Sequence, residues 1–213
     1  DGIRDRDVTG VQTCALPIST VAIAHLAGIR TFATGGIGGV HRGAESSFDV
    51  SSDLGAMARH PVIVVSAGAK AFLDLPKTVE YLETLGVPVV GYRCSEFPAF
   101  WSRESGIPLP HRVETPQEIA AVAAAATTSG WGGGILVANP IPTDAEIPAA
   151  EIAAAIATGL AVAGREEAVG PAATPRILAA IAAATDSRSI PANLALAESN
   201  ATLAAQIAVA LTR

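Results

Sequence analysis

The chain has 213 residues, half of them hydrophobic and only 4% aromatic, with a formal net charge of -6. That is enough for one domain with a sizeable core. The acidic balance excludes a nucleic-acid backbone as the main partner, because neutralising phosphates takes clustered Lys and Arg, but it leaves room for a small phosphorylated ligand held by a few donors.

Two cysteines, Cys14 and Cys94, are too few for a disulfide framework and lack metal-type spacing, so a reducing cytoplasm is the expected compartment. No apolar run approaches the roughly 20 residues that span a bilayer. The opening Asp1-Gly2-Ile3-Arg4 lacks the basic-then-apolar pattern of a signal peptide.

In chain order, Val8 to Ile18 (VTGVQTCALPI) has no helical or strand period. It resembles the translation of a common short-read sequencing adapter. Residues 1–18 are therefore expected to be a non-native segment, outside fold reasoning, with native sequence resuming near Ser19. Ser19 to Gly28 reads as a helix closed by glycine. Ile29 to Ala33 is a short β-rich run, and a glycine-rich loop, Thr34 to Gly43, follows it. Ser52 to Arg59 reads as a short helix. Val62 to Ser66 (VIVVS) is a continuous apolar strand of the kind covered on both faces, and Ala67-Gly68-Ala69-Lys70 leaves its C-terminal end. A helix with Pro at its first turn runs from Pro76 to Leu85, and Val87 to Tyr92 is the next strand. Arg93 to Val113, with several Pro and Gly and few regular signals, reads as a substrate-facing loop or excursion. Thr115-Pro116-Gln117-Glu118 is a capping box that opens an Ala-rich helix to about Thr127. Gly134 to Ala138 is a second buried strand, stopped by Asn139-Pro140. Helices over 149–163, 175–184 and 190–211 complete the chain. Strands alternating with helices predict an α/β fold, a three-layer α-β-α arrangement around a largely parallel sheet.

In such sheets ligands bind beyond the carboxyl ends of the strands, and three polar clusters fall there. The glycine loop, with His41, Arg42 and Glu45 beside it, either cradles an anion on its N–H groups or packs helix against sheet. Lys70 is either an amine whose surroundings favour the neutral nucleophile or a surface lysine at a helix start. Asp49 and Asp53, spaced i, i+4, share a face if the turn is helical. They then suit a hard cation or polar substrate groups; otherwise the Ser51-Ser52 neighbourhood is a helix cap. His25, His60 and His111 read as structural or solvent-facing, and Cys94 as an inert thiol.

At these residues the sequence resembles the pseudouridine-5'-phosphate glycosidase family, which includes indigoidine synthase A-like proteins. The resemblance rests on TGGIGGVHRGAESSFDVSSDL (Thr34 to Leu54), SAGAKAFLDLPKTVEYLETLGVPVVGY (Ser66 to Tyr92), SEFPAFWSRESG (Ser95 to Gly106) and VANPIP (Val137 to Pro142). It implies that residues 19–213 are the C-terminal part of one glycosidase domain, with the sheet incomplete at its N-terminal side. It also implies reversible conversion of pseudouridine 5'-phosphate and water to uracil and ribose 5-phosphate. By the same resemblance Lys70 is the Schiff-base lysine and His41 a polar active-site residue. Asp49 holds the metal, usually Mn²⁺; Ser51, Ser52 and Asp53 contact the substrate, as does Asn193. The expected assembly is a homotrimer, with neither nucleic acid nor membrane as partner.

Two departures stand out. The part of the family pattern carrying a glutamate proton donor and a second substrate-contacting lysine has no counterpart here, which puts turnover by this chain in doubt. Where the family reads close to GKxxTPFLL, the chain has Gly170-Pro171-Ala172-Ala173-Thr174-Pro175-Arg176-Ile177-Leu178. Two alternatives are a catalytically impaired phosphosugar-binding protein and a different Schiff-base lyase acting on phosphosugars.

Overall fold

A computed structural model describes residues 16–165 and 173–212. Most of the adapter-like stretch, Cys14, and Gly170 to Ala172 of the second departure lie outside the described residues. The first helix, α1 (Leu16–Leu26), takes in the last three residues of the segment set apart as non-native.

Five parallel strands form one sheet: β1 (Thr31–Ala33), β2 (Ile63–Ser66), β3 (Val89–Tyr92), β4 (Arg112–Val113) and β5 (Ile135–Ala138), in the spatial order β1-β2-β5-β3-β4. Every residue of β2 and of β5 is buried, as their unbroken apolar runs require. The pairing Val64↔Leu136 and Val65↔Val137 sends alternate side chains to opposite faces. Val64 and Leu136 pack with Leu54 and Met57 of α3 (Ser52–Arg59) and Leu82 of α4 (Leu75–Thr84). Ile63, Val65, Ile135 and Val137 pack with Ile119 and Ala123 of α5 (Pro116–Thr128) and Leu203, Ala204 and Ile207 of α8 (Ser189–Ala210). Helices on both faces make the expected three layers. Each fully buried side chain of this kind stabilises the fold by ~1.5–3 kcal/mol relative to exposure. The short α2 (Ala44–Ser47) lies beyond the glycine loop, and α6 (Ala149–Arg165) packs on α7 (Ala173–Ala184).

The capping box forms as read: Thr115 Oγ1 accepts from the Glu118 N–H, and Glu118 accepts in return from the Thr115 N–H. Arg93 to Val113 does not run over the surface as a plain loop. It supplies β4, and it buries Phe97, Phe100 and Trp101 in the larger core cluster. Of the two readings of the Asp49 and Asp53 spacing, a shared helical face and a helix cap at Ser51-Ser52, the cap is the one that forms. Ser51 is the N-cap of α3, with extended backbone and its hydroxyl accepting from the Asp53 N–H. Asp49 therefore lies outside the helix, in a stretch that pairs antiparallel with the glycine loop at Val40↔Val50.

Candidate active site

The pairing of β1 with β2 continues past both strand ends, and this builds the site. Ala67 N–H donates to the Gly35 carbonyl, Ile37 N–H to Gly68, and Lys70 N–H to Ile37 at 3.1 Å. The glycine loop is thereby laid along the segment that carries Lys70. A second hairpin-like contact completes the frame: His41 N–H donates to the Asp49 carbonyl at 2.9 Å and Ser51 N–H to Gly39 at 2.9 Å. His41, Asp49, Ser51 and Asp53 thus face one another across the loop, with Lys70 on its other side.

Five of the loop's amides, those of Thr34, Ile37, Gly38, Val40 and His41, are engaged within the protein. Gly38 N–H donates to Asp53 Oδ2 at 2.8 Å, and Val40 N–H to Thr78 Oγ1 at 3.0 Å. Of the two readings of the loop, packing therefore accounts for these groups better than an anion cradle does. Gly38 has a specific reason to be glycine: a Cβ there would overlap Ser51 Oγ and crowd Asp53 Oδ2 at 2.9 Å. Gly68 has another, since its backbone is left-handed with φ of 76° and a Cβ would collide with the Pro98 carbonyl oxygen.

Asp53 is 3% exposed. Burial pushes its carboxyl above the usual range, against the opposing effects of the Gly38 N–H, the Lys70 charge and the Ser51 hydroxyl. Its Oδ1 is buried without a hydrogen-bond partner among the described residues. A native structure rarely leaves such a group unmatched unless a ligand supplies the donor. Burial also lowers His41, with Asp49 opposing and Lys70 assisting, so His41 is held neutral near pH 7. His41 Nδ1 lies 3.7 Å from Asp49 Oδ2.

Asp49 is one third exposed, and no group of three or more His, Cys, Asp or Glu able to hold a metal exists among the described residues. A single accessible carboxylate beside a neutral imidazole fits a hard cation that keeps most of its waters, as Mg²⁺ and similar ions do. It does not fit a closed protein cage. Ser52 is exposed at the first position of α3. Asn193, on α8, joins the cluster only indirectly. Its Oδ1 accepts from Trp101 Nε1 at 2.7 Å, Trp101 stacks edge-on against Phe100, and the Phe100 ring lies against Gly35 and Gly36.

Several residues that shape the rim were not among the site residues read from the sequence. Asn139, at the end of β5, donates to Asn200 Oδ1 at 2.8 Å and to Ser199 Oγ at 3.1 Å. Asn200 Nδ2 in turn donates to the Thr34 carbonyl at 2.8 Å. This buried chain ties α8 to the start of the glycine loop. Thr78 is fully buried; its hydroxyl donates to the Asp74 carbonyl at 2.7 Å while accepting from Val40. Its only local signal was its place four residues after the α4 cap. Cys94 is half-buried: burial raises its pKa, and its thiol lies against the Ala138 carbonyl.

A profile of indigoidine synthase A-like proteins matches residues 4–210. The chain belongs to the indigoidine synthase A-like family. Its relatives include proteins named pseudouridine-5'-phosphate glycosidase from Methylobacterium nodulans, 59% identical over 95% of this chain and 60% of the relative, and from Paracoccus denitrificans, 54% identical over 95% and 66%. The chain therefore spans about 60% of the length of the first of these. Among solved structures, a prealnumycin C-glycosynthase in complex with ribulose 5-phosphate superposes with a TM-score of 0.84 at 39% identity, covering 91% of this chain and 64% of the other. An indigoidine synthase A-like protein of Thermotoga maritima gives 0.81 at 38%, covering 92% and 64%. These proteins thus share the fold described above. No helix among the described residues is long and apolar enough to cross a membrane.

Proposed function

We propose that the protein is a pseudouridine-5'-phosphate glycosidase, an enzyme that reversibly cleaves the C–C bond between uracil and ribose 5-phosphate through a Schiff base on Lys70. The observation that carries the reading is the placement of Lys70. It leaves the buried end of β2, is pinned to the glycine loop, and lies close enough to His41 and Asp53 to bias both their titrations. The names of the relatives and the ribulose 5-phosphate bound by one structural neighbour support the substrate class.

A C–C glycosidic bond has no heteroatom leaving group, so an electron sink at the sugar carbon is needed. In the synthetic direction the Lys70 amine adds to the C1 aldehyde of open-chain ribose 5-phosphate and water leaves, giving an iminium. Uracil C5 then bonds to that carbon and loses its proton. The sugar's own hydroxyl closes the ring and displaces the amine. Cleavage is the reverse, consuming one water. His41, held neutral, is able to take and return a proton at the amine. Asp53 Oδ1 is placed to accept from a substrate hydroxyl, and Ser51, Ser52 and Asn193 supply further polar contacts. Asp49 would hold a divalent ion, Mn²⁺ by family resemblance, whose positive charge favours nearby anionic oxygens. A homotrimer in the cytoplasm is part of the same proposal; light scattering of the purified protein tests the assembly.

The 213 residues contain two lysines, Lys70 and Lys77. Lys77 is paired with Asp74 and Glu45, both at 2.9 Å, and these bonds raise its pKa, which disfavours the free amine. In protein of the relatives' full length, borohydride with ribose 5-phosphate is expected to leave one reduced pentose-phosphate adduct, on the peptide containing Lys70. Lys70→Ala should lose both the adduct and uracil release. Lys70→Arg should restore neither, since guanidinium stays protonated. Near-normal turnover in Lys70→Ala, or an adduct on Lys77, would overturn the mechanism. Asp49→Ala should weaken Mn²⁺ binding by calorimetry; unchanged affinity removes Asp49 from the metal site.

A further inference from the structure

We propose that Trp101 is a positioning residue for Asn193: it locks the asparagine amide so that the N–H groups, and not the carbonyl, are offered to the substrate. The inference rests on the glycosidase reading for the placement of Asn193 in the site. The contact itself is independent of that reading. Trp101 Nε1 meets the Asn193 side chain at 2.7 Å across 92 residues of sequence. An indole N–H only donates, so the atom facing it is the amide oxygen. The orientation of this amide, often an open choice, is fixed here by chemistry.

The consequence is directional. With Oδ1 occupied, Asn193 keeps two N–H donors on Nδ2, and that atom makes no hydrogen bond among the described residues. Asn193 is half-buried, so the donors have access to a ligand. Trp101 is itself immobile. It is 1% exposed, its ring meets Phe100 edge-on at 4.7 Å, and its carbonyl accepts from the Ile147 N–H at 3.0 Å. Phe100 in turn presses on Gly35 and Gly36, and its N–H donates to the Ala67 carbonyl at 3.1 Å. The two aromatics therefore tie α8 to the loop beside Lys70. Asn193 therefore selects for an oxygen acceptor. The substrate offers three kinds, the phosphate oxygens, the sugar oxygens and the pyrimidine carbonyls.

Calorimetric affinities decide the proposal, measured on full-length wild type, Trp101→Phe, Asn193→Ala and the double variant. Trp101→Phe keeps an aromatic ring but lacks the donor. It is expected to weaken binding of either ribose 5-phosphate or uracil about tenfold, the scale of one well-placed hydrogen bond, while adduct formation at saturating sugar phosphate keeps its rate. Asn193→Ala should lose at least as much, and the double variant no more than Asn193→Ala, because one residue acts through the other. Ribose without phosphate and free uracil assign the acceptor. A loss for ribose 5-phosphate that ribose does not share points to phosphate, a loss shared by ribose points to the sugar oxygens, and a loss confined to uracil points to the carbonyls. Unchanged affinities for both in Trp101→Phe, or losses that add in full, would overturn the proposal. Wild-type protein that binds ribose 5-phosphate but traps no adduct would instead fail the glycosidase reading, leaving the affinity comparison to decide the role of Trp101.

Discussion

The flank of the sheet under α5 and the C-terminal half of α8 and the rim at the carboxyl ends of β1, β2 and β5 are built on different physics. The flank is apolar throughout: Ile63, Val65, Ile135 and Val137 meet Ile119, Ala123, Leu203 and Ile207. Its attraction is non-directional and scales with buried area. The rim buries Asp53, Ser66, Thr78, Asn139 and Asn200, and its energetics depend on matched donors and acceptors. Asp53 Oδ1 is the mismatch there among the described residues. On the proposed reading, stability is concentrated in one region and ligand recognition in the other, so mutations should separate the two.

The largest separation is expected between Gly38→Ala and Ile119→Ala. A methyl at Gly38 must displace Ser51 or Asp53, and a misplacement near 1 Å is enough to slow borohydride trapping of ribose 5-phosphate on the order of 100-fold. Ile119 is fully buried on the flank. Its truncation should cost ~2–5 kcal/mol of stability while trapping by the folded protein persists. Thermal melts and trapping rates on both variants test this. A Gly38→Ala protein that traps normally, or a folded Ile119→Ala protein that does not, would break the comparison.

Asp53→Asn sharpens it in the opposite direction. A carboxyl whose pKa is raised on folding adds stability at acid pH, and that contribution is lost as pH rises through its folded value. At neutral pH the buried charge is thus a cost that outweighs its bond to Gly38 and its attraction to Lys70. The amide should raise the melting temperature by about 2–4 °C at pH 7, as ~1 kcal/mol does in a chain of this size. The gain should shrink as pH falls into the carboxylate range, and ribose 5-phosphate trapping should fall at the same time. A lower melting temperature at pH 7 would show that the ionised carboxylate is favourable in place.

The same division explains what the sequence made legible. Apolar runs and caps are local, so VIVVS, GILVA and the Thr115 box were readable to within a residue or two, and so was α3. The motif stretches placed His41, Asp49, Ser51, Asp53 and Lys70 near one another, because only the short links between β1, β2 and α3 separate them. The rim's remaining members are joined over long separations, 61 residues for Asn139 to Asn200 and 92 for Trp101 to Asn193. Nothing in a single sequence marks such pairs. The two-residue β4 and the bridges Gly68↔Ala99 and Glu96↔Pro108 are too short to show a period, so Arg93 to Val113 looked irregular. The i, i+4 spacing of Asp49 and Asp53 left a shared helical face and a helix cap both open, and the cap at Ser51, which starts the helix between them, decides for the second.

The smallest effect is expected at Thr115, which lies at the same end of the sheet as the site but next to β4, three strands from β2. Thr115→Ala removes the acceptor for the Glu118 N–H and should cost about 1 kcal/mol, typical of an N-cap. Glu118 accepts from the N–H groups of Glu114, at 2.7 Å, and Thr115, at 2.9 Å, and these bonds depress its pKa. A depressed carboxyl stabilises the fold above its unfolded pKa and loses that contribution as pH falls through the folded value. Glu118→Gln should therefore flatten the acid side of the melting curve, and added salt should do the same in part, since the group is exposed and screened. Trapping at Lys70 should not change in either variant. A change would mean that the end of the sheet responds as one body, and that β5 and β3 transmit strain from the β4 edge to the glycine loop.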